Sequence, residues 1–383
     1  MDALRLCIFN ALLGLAGGGE LLAIKMCRAL EESGFDATMY TYSTGGVDVD
    51  RALKLLSPDY RPKLVVMRPP LIHEVLGISG RLIRLKRLLL ASDFLKRINL
   101  LRECCDVIID ASSNMPTDAD ISYIHYPVSI SSKAGGIHQL YELVIRKYVS
   151  DLTGNTLLVL TNSSWTLSKF RGVWGSRYLA EVLYPPVDVE YFSEVADNHV
   201  RDDLIVTITR FTPEKRLEAI VDIAKRLPNY EFVIAGTTSN YSRPVIKSLR
   251  GLMERLNVEN LRILTDIPRS ELRELLGRAK FYLHPPFPEH FGISVVEAAS
   301  AGCIPIVYRD GGAWVDVVSK IDSRLGYGSV DEVPKIVEGL SDEEVSRLRV
   351  KAIDISKNFN YELFKGRVNY YVGYVLRLKG RSK

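Results

Sequence analysis

The chain has 383 residues, of which 47% are hydrophobic and 25% charged, with 50 Lys and Arg against 46 Asp and Glu. This is the composition of an ordinary globular protein too long for one core, so two domains are expected. A net charge of +4 is too slight to point to nucleic acid, and no run approaches the ~20 uninterrupted apolar residues of a membrane span.

Apolar runs at Leu4 to Phe9, Ala37 to Tyr42, Leu64 to Met67, Val107 to Asp110, Ile121 to His125 and Thr156 to Thr161 predict strands separated by helices. That alternation is the pattern of a doubly wound α/β domain, expected over 1–183. Residues 184–203, opening with Tyr184-Pro-Pro-Val-Asp188 and continuing as a polar tail, predict a hinge. A second series over 204–360 places strands at Leu204 to Thr209, Glu231 to Ala235, Leu261 to Thr265, Phe281 to His284 and Ile304 to Tyr308. Helices are expected between them at Arg216 to Leu227, Ser242 to Leu256, Ser270 to Lys280 and Ser294 to Ala301. A last helix spans Tyr361 to Leu378, within a terminal segment 361–383. Two Rossmann-like domains facing each other would carry ligands at the carboxyl ends of their strands, in the cleft between them.

The stretch 81–102 holds seven basic residues and one acid. As one helix its charges spread around the circumference. A break near Ser92 instead gives two short helices with apolar stripes Leu82/Leu85/Leu89 and Phe94/Ile98/Leu101, suited to an anionic membrane surface. The competing expectation is a helix packed inward on the first domain.

Five cysteines, Cys7, Cys27, Cys104, Cys105 and Cys303, include no C-x-x-C pair, and Cys7 and Cys303 sit in apolar runs as small hydrophobes. Structural zinc is not expected, and a reduced, cytoplasmic setting is. Met1 to Asn10 is too short and wrongly flanked for a signal peptide. Asp48-Val-Asp50 and Asp118-Ala-Asp120 have the form of a metal-holding triplet, but both read as solvated loops, and no metal or other cofactor is expected. His73, His138, His199 and His284 fit no motif, and His290 is notable only as a neighbour of Glu289.

The most informative segment runs from His284-Pro-Pro-Phe-Pro-Glu289 through Phe291, Gly292, Ile293 and Ser294 to Glu297 and Gly302. Pro285, Pro286 and Pro288 forbid helix, so a buried strand leaves its sheet into a loop, and the helix restarts at Ser294. Its first free N–H groups favour an anion at the loop. Glu289 and Glu297 could each accept hydrogen bonds from paired hydroxyls, one on a sugar and one on a ribose. Ser294-Val-Val-Glu297 also matches a capping box, which would make Glu297 only a cap. Arg210 and Lys215 follow the first strand of the second domain and enter a helix after Pro213, where both could reach a phosphate. Gly17, Gly18 and Gly19 lie between the first strand and its helix. As a dinucleotide fingerprint they lack the third glycine and an acid after the second strand, which argues against an NAD-dependent oxidoreductase.

Glu289 and Glu297 with their seven-residue spacing, Gly17-Gly-Gly-Glu20, His125-Tyr-Pro127, Asn162-Ser-Ser-Trp165, Tyr184-Pro-Pro-Val-Asp188 and Arg210-Phe-Thr-Pro-Glu-Lys215 occur in one order. Together they resemble the retaining glycosyltransferases of family 4, which have the GT-B fold. The forms around His125, Asn162 and Glu289 are most similar to the GDP-mannose-dependent α-1,2-mannosyltransferases of the dolichol pathway. The resemblance implies that Glu289, His125, Arg210 and Lys215 serve the reaction. It implies that Gly17, Gly18, Gly19, Arg210, Lys215, Phe291, Gly292, Ile293, Ser294 and Glu297 hold the donor, and that the terminal helix crosses back to the first domain. A nucleotide sugar and a glycan acceptor, lipid-linked, are then the partners, with transfer at the cytoplasmic face of a membrane. Glucosyl transfer from a UDP or ADP sugar on the same fold, and a silent sugar-nucleotide-binding subunit, are the alternatives. The resemblance leaves open whether Glu289 attacks the sugar or orients it.

Overall fold

The computed structural model describes residues 3–13, 17–43, 49–70, 83–127, 147, 149–197, 201–238 and 242–381, with the side chains of 83–88 excepted. It divides into two compact units, Met1–Tyr184 with Phe364–Lys383, and Pro185–Leu363.

Among the described residues the first unit is built on a seven-stranded parallel sheet in the order β3-β2-β1-β4-β5-β6-β7. These strands are Arg5–Phe9 (β1), Asp36–Tyr42 (β2), Lys63–Met67 (β3), Val107–Asp110 (β4), Ile121–Ile124 (β5), Leu158–Thr161 (β6) and Ala180–Val182 (β7). β4, β5 and β6 are buried along their whole length, as the near-continuous apolar runs of a parallel sheet covered on both faces require. β7 was not expected: Ala180-Glu-Val is too short and too mixed to show a period, and only pairing with β6 makes it a strand.

The second unit repeats the plan with a six-stranded parallel sheet in the order β10-β9-β8-β11-β12-β13. Its strands are Asp202–Ile208 (β8), Glu231–Gly236 (β9), Leu261–Thr265 (β10), Ala279–Leu283 (β11), Ile304–Tyr308 (β12) and Gly326–Tyr327 (β13). In each sheet the chain order reverses once, between β1 and β4 and between β8 and β11. Such switch points open a crevice at the carboxyl ends of the strands. Asn10 and Ala111 stand there in one unit, and Arg210 and His284 in the other.

Three expectations are corrected. Residues 187–193 are not an open hinge within 184–203. Val187 N–H donates to Phe359 O at 2.8 Å, and Phe192 on the short helix Val189–Ser193 is fully buried in the second unit. The stretch around Ser92 does not break: Ile83–Cys104 is a single helix. Phe94 and Ile98 are buried with Phe9, Tyr42 and Ile108, and Leu101 packs against that cluster, so this stripe belongs to the core. Leu82 and Leu85 lie outside the described side chains. Cys7 and Cys105 are joined as a disulfide. β1 pairs with β4, and Cys105 lies two residues before β4, so sheet pairing brings together thiols 98 residues apart that sequence spacing does not connect.

The terminal helix Tyr361–Leu378 buries Phe364, Val368, Val372, Val375 and Leu376. Beyond Phe364 it belongs to the first unit: Lys365 pairs with Glu32 at 2.9 Å, and Lys379 Nζ reaches Asp120 Oδ1 at 2.9 Å. No helix among the described residues is long and apolar enough to cross a membrane.

Candidate active site

In the second unit β11 ends at Leu283, and the Pro-rich loop after it carries His284, Glu289 and Gly292. Gly292 has φ +88°, a left-handed conformation that turns the chain into the helix Ile293–Ser300. Ile293 is its first residue. Behind the loop, Gly311 (φ +104°) lies so close that an added Cβ would stand 2.4 Å from Glu289 O, and the two residues form a parallel bridge. The backbone of Glu289 is therefore clamped. Phe291 is buried, its ring 5.4 Å from that of Phe359.

The Glu289 carboxylate meets three donors. His290 N–H donates to Oε1 at 3.1 Å, Lys215 Nζ donates to Oε2 at 3.1 Å, and His284 Nε2 lies 3.4 Å from the same oxygen. Burial pushes this carboxyl upward, but the bond from His284 and the Lys215 charge outweigh it and hold the group well below the usual range. Lys215 ends the 3-10 turn Pro213–Lys215 and also lies over the Phe287 ring at 4.1 Å. Burial pushes the His290 imidazole down, against the pull of the Glu289 charge. Arg210 is exposed and its guanidinium makes no ion pair among the described residues, so it stands open to an anion.

Glu297 is not a helix cap. The Ser294 hydroxyl is within 2.8 Å of Tyr282 OH, and the helix start has no side-chain cap. Glu297 Oε1 instead faces Arg269 Nη2 at 3.4 Å, and the same nitrogen contacts Asp188 Oδ2 at 2.7 Å. Burial raises the Glu297 carboxyl to about 6, with Asp188 adding to the rise and Arg269 opposing it. Tyr282 OH feels the charge of both Glu289 and Glu297 and is raised, chiefly by burial.

In the first unit, Gly17 precedes the helix Gly18–Glu32, and its N–H donates to Glu20 Oε2 at 2.9 Å. Gly18 is exposed. A Cβ at Gly19 would stand 3.2 Å from His125 Nε2, so the glycine brings this helix start close against that ring. His125 Nε2 lies 3.1 Å from Ala111 O, its N–H donates to Asn114 Oδ1 at 2.7 Å, and its carbonyl accepts from Asn162 Nδ2 at 2.9 Å. The histidine and asparagine motifs, remote in sequence, therefore meet at the ends of β5 and β6.

Asp48 lies outside the described residues, as do His73, His138 and His199. Asp120 is taken up by Ile108 N–H, Arg102 and Lys379, and Asp118 Oδ1 by Asn155 N–H, which makes the second acidic triplet a structural one. Residues missed from the sequence are His284, Arg269, Asn114 and Gly236, whose absent Cβ would stand 1.7 Å from Thr209 O at the end of β8. The last carried a signal, a glycine closing an apolar strand.

Two parallel-sheet units of this kind define the GT-B fold of glycosyltransferases. Anabaena HepE, solved with UDP and glucose, superposes with a TM-score of 0.69 at 16% identity, over 96% of this chain and 99% of that one. The sucrose-phosphate synthase of Thermosynechococcus elongatus gives 0.72 at 15% identity, over 98% and 100%. Residues 190–324 match the family model described as Glycosyl transferases group 1. The chain is similar to proteins named GDP-Man:Man(3)GlcNAc(2)-PP-Dol alpha-1,2-mannosyltransferase. Identity is 25% to that of Dictyostelium discoideum, over 65% of this chain and 58% of the relative, and 30% to that of Homo sapiens, over 51% and 43%. The chain thus spans about half the length of these curated relatives.

Proposed function

We propose that this chain is a retaining hexosyltransferase that moves mannose from GDP-mannose to a lipid-linked oligosaccharide. The observation that carries the transferase reading is the Glu289 carboxylate, clamped at the carboxyl end of β11 and set against Lys215. Mannose and the lipid-linked acceptor rest on the names of the relatives.

In this reading Arg210 and Lys215 take the donor diphosphate, the start of the helix Ile293–Ser300 faces it, and Glu297 accepts the ribose hydroxyls. Glu289 orients the sugar rather than attacking it, because a carboxylate held by three donors is a poor nucleophile. The acceptor oxygen bonds to the anomeric carbon on the face that the diphosphate leaves, and the acceptor's proton passes to a diphosphate oxygen. His125 hydrogen-bonds the transferred sugar. These cations and the helix terminus supply the positive field, so the reaction is metal-independent.

Incubating the protein with GDP-mannose, UDP-glucose and ADP-glucose, and following hydrolysis and protection against melting, tests the assignment. Selective turnover of GDP-mannose is expected. Preference for UDP-glucose or ADP-glucose would move the chain to glucosyl transfer, and binding without any turnover to a silent subunit.

For the acceptor we propose contact with an anionic bilayer through the outward side of the helix Ile83–Cys104, where Lys96, Arg97 and Leu100 are exposed. Sedimentation with vesicles containing phosphatidylserine at low salt is expected, and loss of it in Lys96→Glu with Arg97→Glu. Protein that ignores such vesicles would remove the membrane from the reading.

A further inference from the structure

His284 has a geometry that the donor site alone does not call for. Its side chain is 3% exposed, so both ring nitrogens must find protein partners. Nδ1 lies 3.1 Å from Pro285 O, and Nε2 lies 3.4 Å from Glu289 Oε2. A carbonyl and a carboxylate are both acceptors, and a neutral imidazole has only one N–H to offer. A ring that donates to both acceptors needs a proton on each nitrogen.

The groups around it support one charge state. Glu289 is the anion, Lys215 and His290 approach that carboxylate from its other sides, the Phe287 ring lies 4.9 Å away, and Tyr327 OH donates to the His284 carbonyl at 2.6 Å. Tyr282, two residues earlier on β11, turns its hydroxyl to Ser294. The carbonyl bond from Tyr327 and the pairing of His284 N–H with Ile306 O at 2.9 Å fix the backbone, so the ring is a rigid strut.

We propose that His284 is a positioning residue, an imidazolium braced on Pro285 O that holds the Glu289 carboxylate from the side opposite the solvent. This rests on the donor-site reading above and adds a residue to it. Lys215 can then exchange Glu289 for the donor diphosphate without leaving the carboxylate unpaired. His284 keeps Glu289 ionised and aimed while its other cation is drawn to substrate.

Imidazole nitrogen–proton correlation spectra of the full chain near neutral pH test this directly. The expected result is one histidine with both nitrogens protonated, which Glu289→Gln converts to a neutral tautomer and His284→Gln removes. A neutral His284 in the wild-type protein would overturn the proposal. In turnover, His284→Gln should lower kcat about tenfold to a hundredfold with GDP affinity changed less than about twofold. Unchanged kcat in a folded His284→Gln protein would also overturn it. If that variant does not fold, the wild-type and Glu289→Gln spectra still decide. If no sugar nucleotide is turned over, the donor reading fails while the spectra continue to test His284.

Discussion

Lys215 Nζ sits 3.1 Å from Glu289 Oε2, although 74 residues separate them. The pair joins the end of a 3-10 turn after β8 to the loop after β11, across the switch point of the second sheet. Both side chains are mostly withdrawn from solvent, so the contact does more than a surface ion pair would. It also makes Lys215 and Arg210 unequal, since Arg210 has no comparable partner among the described residues.

That inequality separates two substitutions. Arg210→Ala and Lys215→Ala should each lower turnover by about 10²–10³, the usual cost of one lost electrostatic contact to a developing charge. Only Lys215→Ala should also lower Tm, because it leaves Glu289 short of a partner, and Glu289→Gln added to it should restore part of the loss. Steady-state rates and thermal melts check both. Near-normal turnover in the two single variants would sink the phosphate role.

Glu297 gives a pH dependence with a definite sign. Its carboxyl is raised from 4.5 to about 6 in the folded protein, so between those values the native state keeps a proton that the unfolded chain has lost. Its contribution to stability therefore falls as pH rises through that window. Donor binding runs the other way, because only the carboxylate accepts two ribose hydroxyls: GDP affinity should rise through about pH 6. Glu297→Gln should flatten that rise, and Arg269→Ala should move it to higher pH. Calorimetric titration with GDP across this range is the measurement. A pH-independent affinity in the wild-type protein would remove Glu297 from the ribose.

The glycines around Glu289 should resist replacement. Gly292→Ala and Gly311→Ala place a side chain on left-handed backbone, and in Gly311→Ala the new carbon also meets the Glu289 carbonyl. Each should cost about 1–3 kcal/mol of stability and reduce turnover. Gly366→Ala, on the terminal helix with nothing within 4 Å of an added Cβ, should be neutral or stabilise by up to about 1 kcal/mol. Urea melts of the three variants test the contrast, and equal losses in all would contradict it.

Chelation gives a simple outcome. Activity should survive EDTA, since the proposed positive field comes from side chains and a helix start. Complete loss, restored by Mn²⁺ or Mg²⁺, would reopen the acidic triplet that includes Asp48.

Much of the fold was legible because parallel strands buried on both faces are written as unbroken apolar runs. The runs Val107–Asp110 and Ile304–Tyr308, and the helices Ser242–Leu256 and Tyr361–Leu378, lie where the sequence placed them. Local rules failed where a distant partner decides. Ser294 has the spacing of a cap, yet its hydroxyl is claimed by Tyr282 from the neighbouring strand. Phe94 and Ile98 have the spacing of a membrane-facing stripe, yet Phe9 and Ile108 cover them. His284 looks like a lone core histidine because nothing five residues away in sequence announces that Glu289 folds back onto it. Arg269 was invisible for the same reason, since its two acids lie on the helix Ile293–Ser300 and before the helix Val189–Ser193.

The return of the helix Tyr361–Leu378 to the first unit has a consequence for how the protein comes into being. The strands β1 to β7 are all made before residue 184, but Val368, Val372, Val375 and Leu376 arrive only after the whole second unit. During synthesis the early unit must wait without its last helix, while a later unit folds and leaves the ribosome first. Closure is then a contact of high sequence separation, the slow kind, and the waiting intermediate is where chaperones would find this chain.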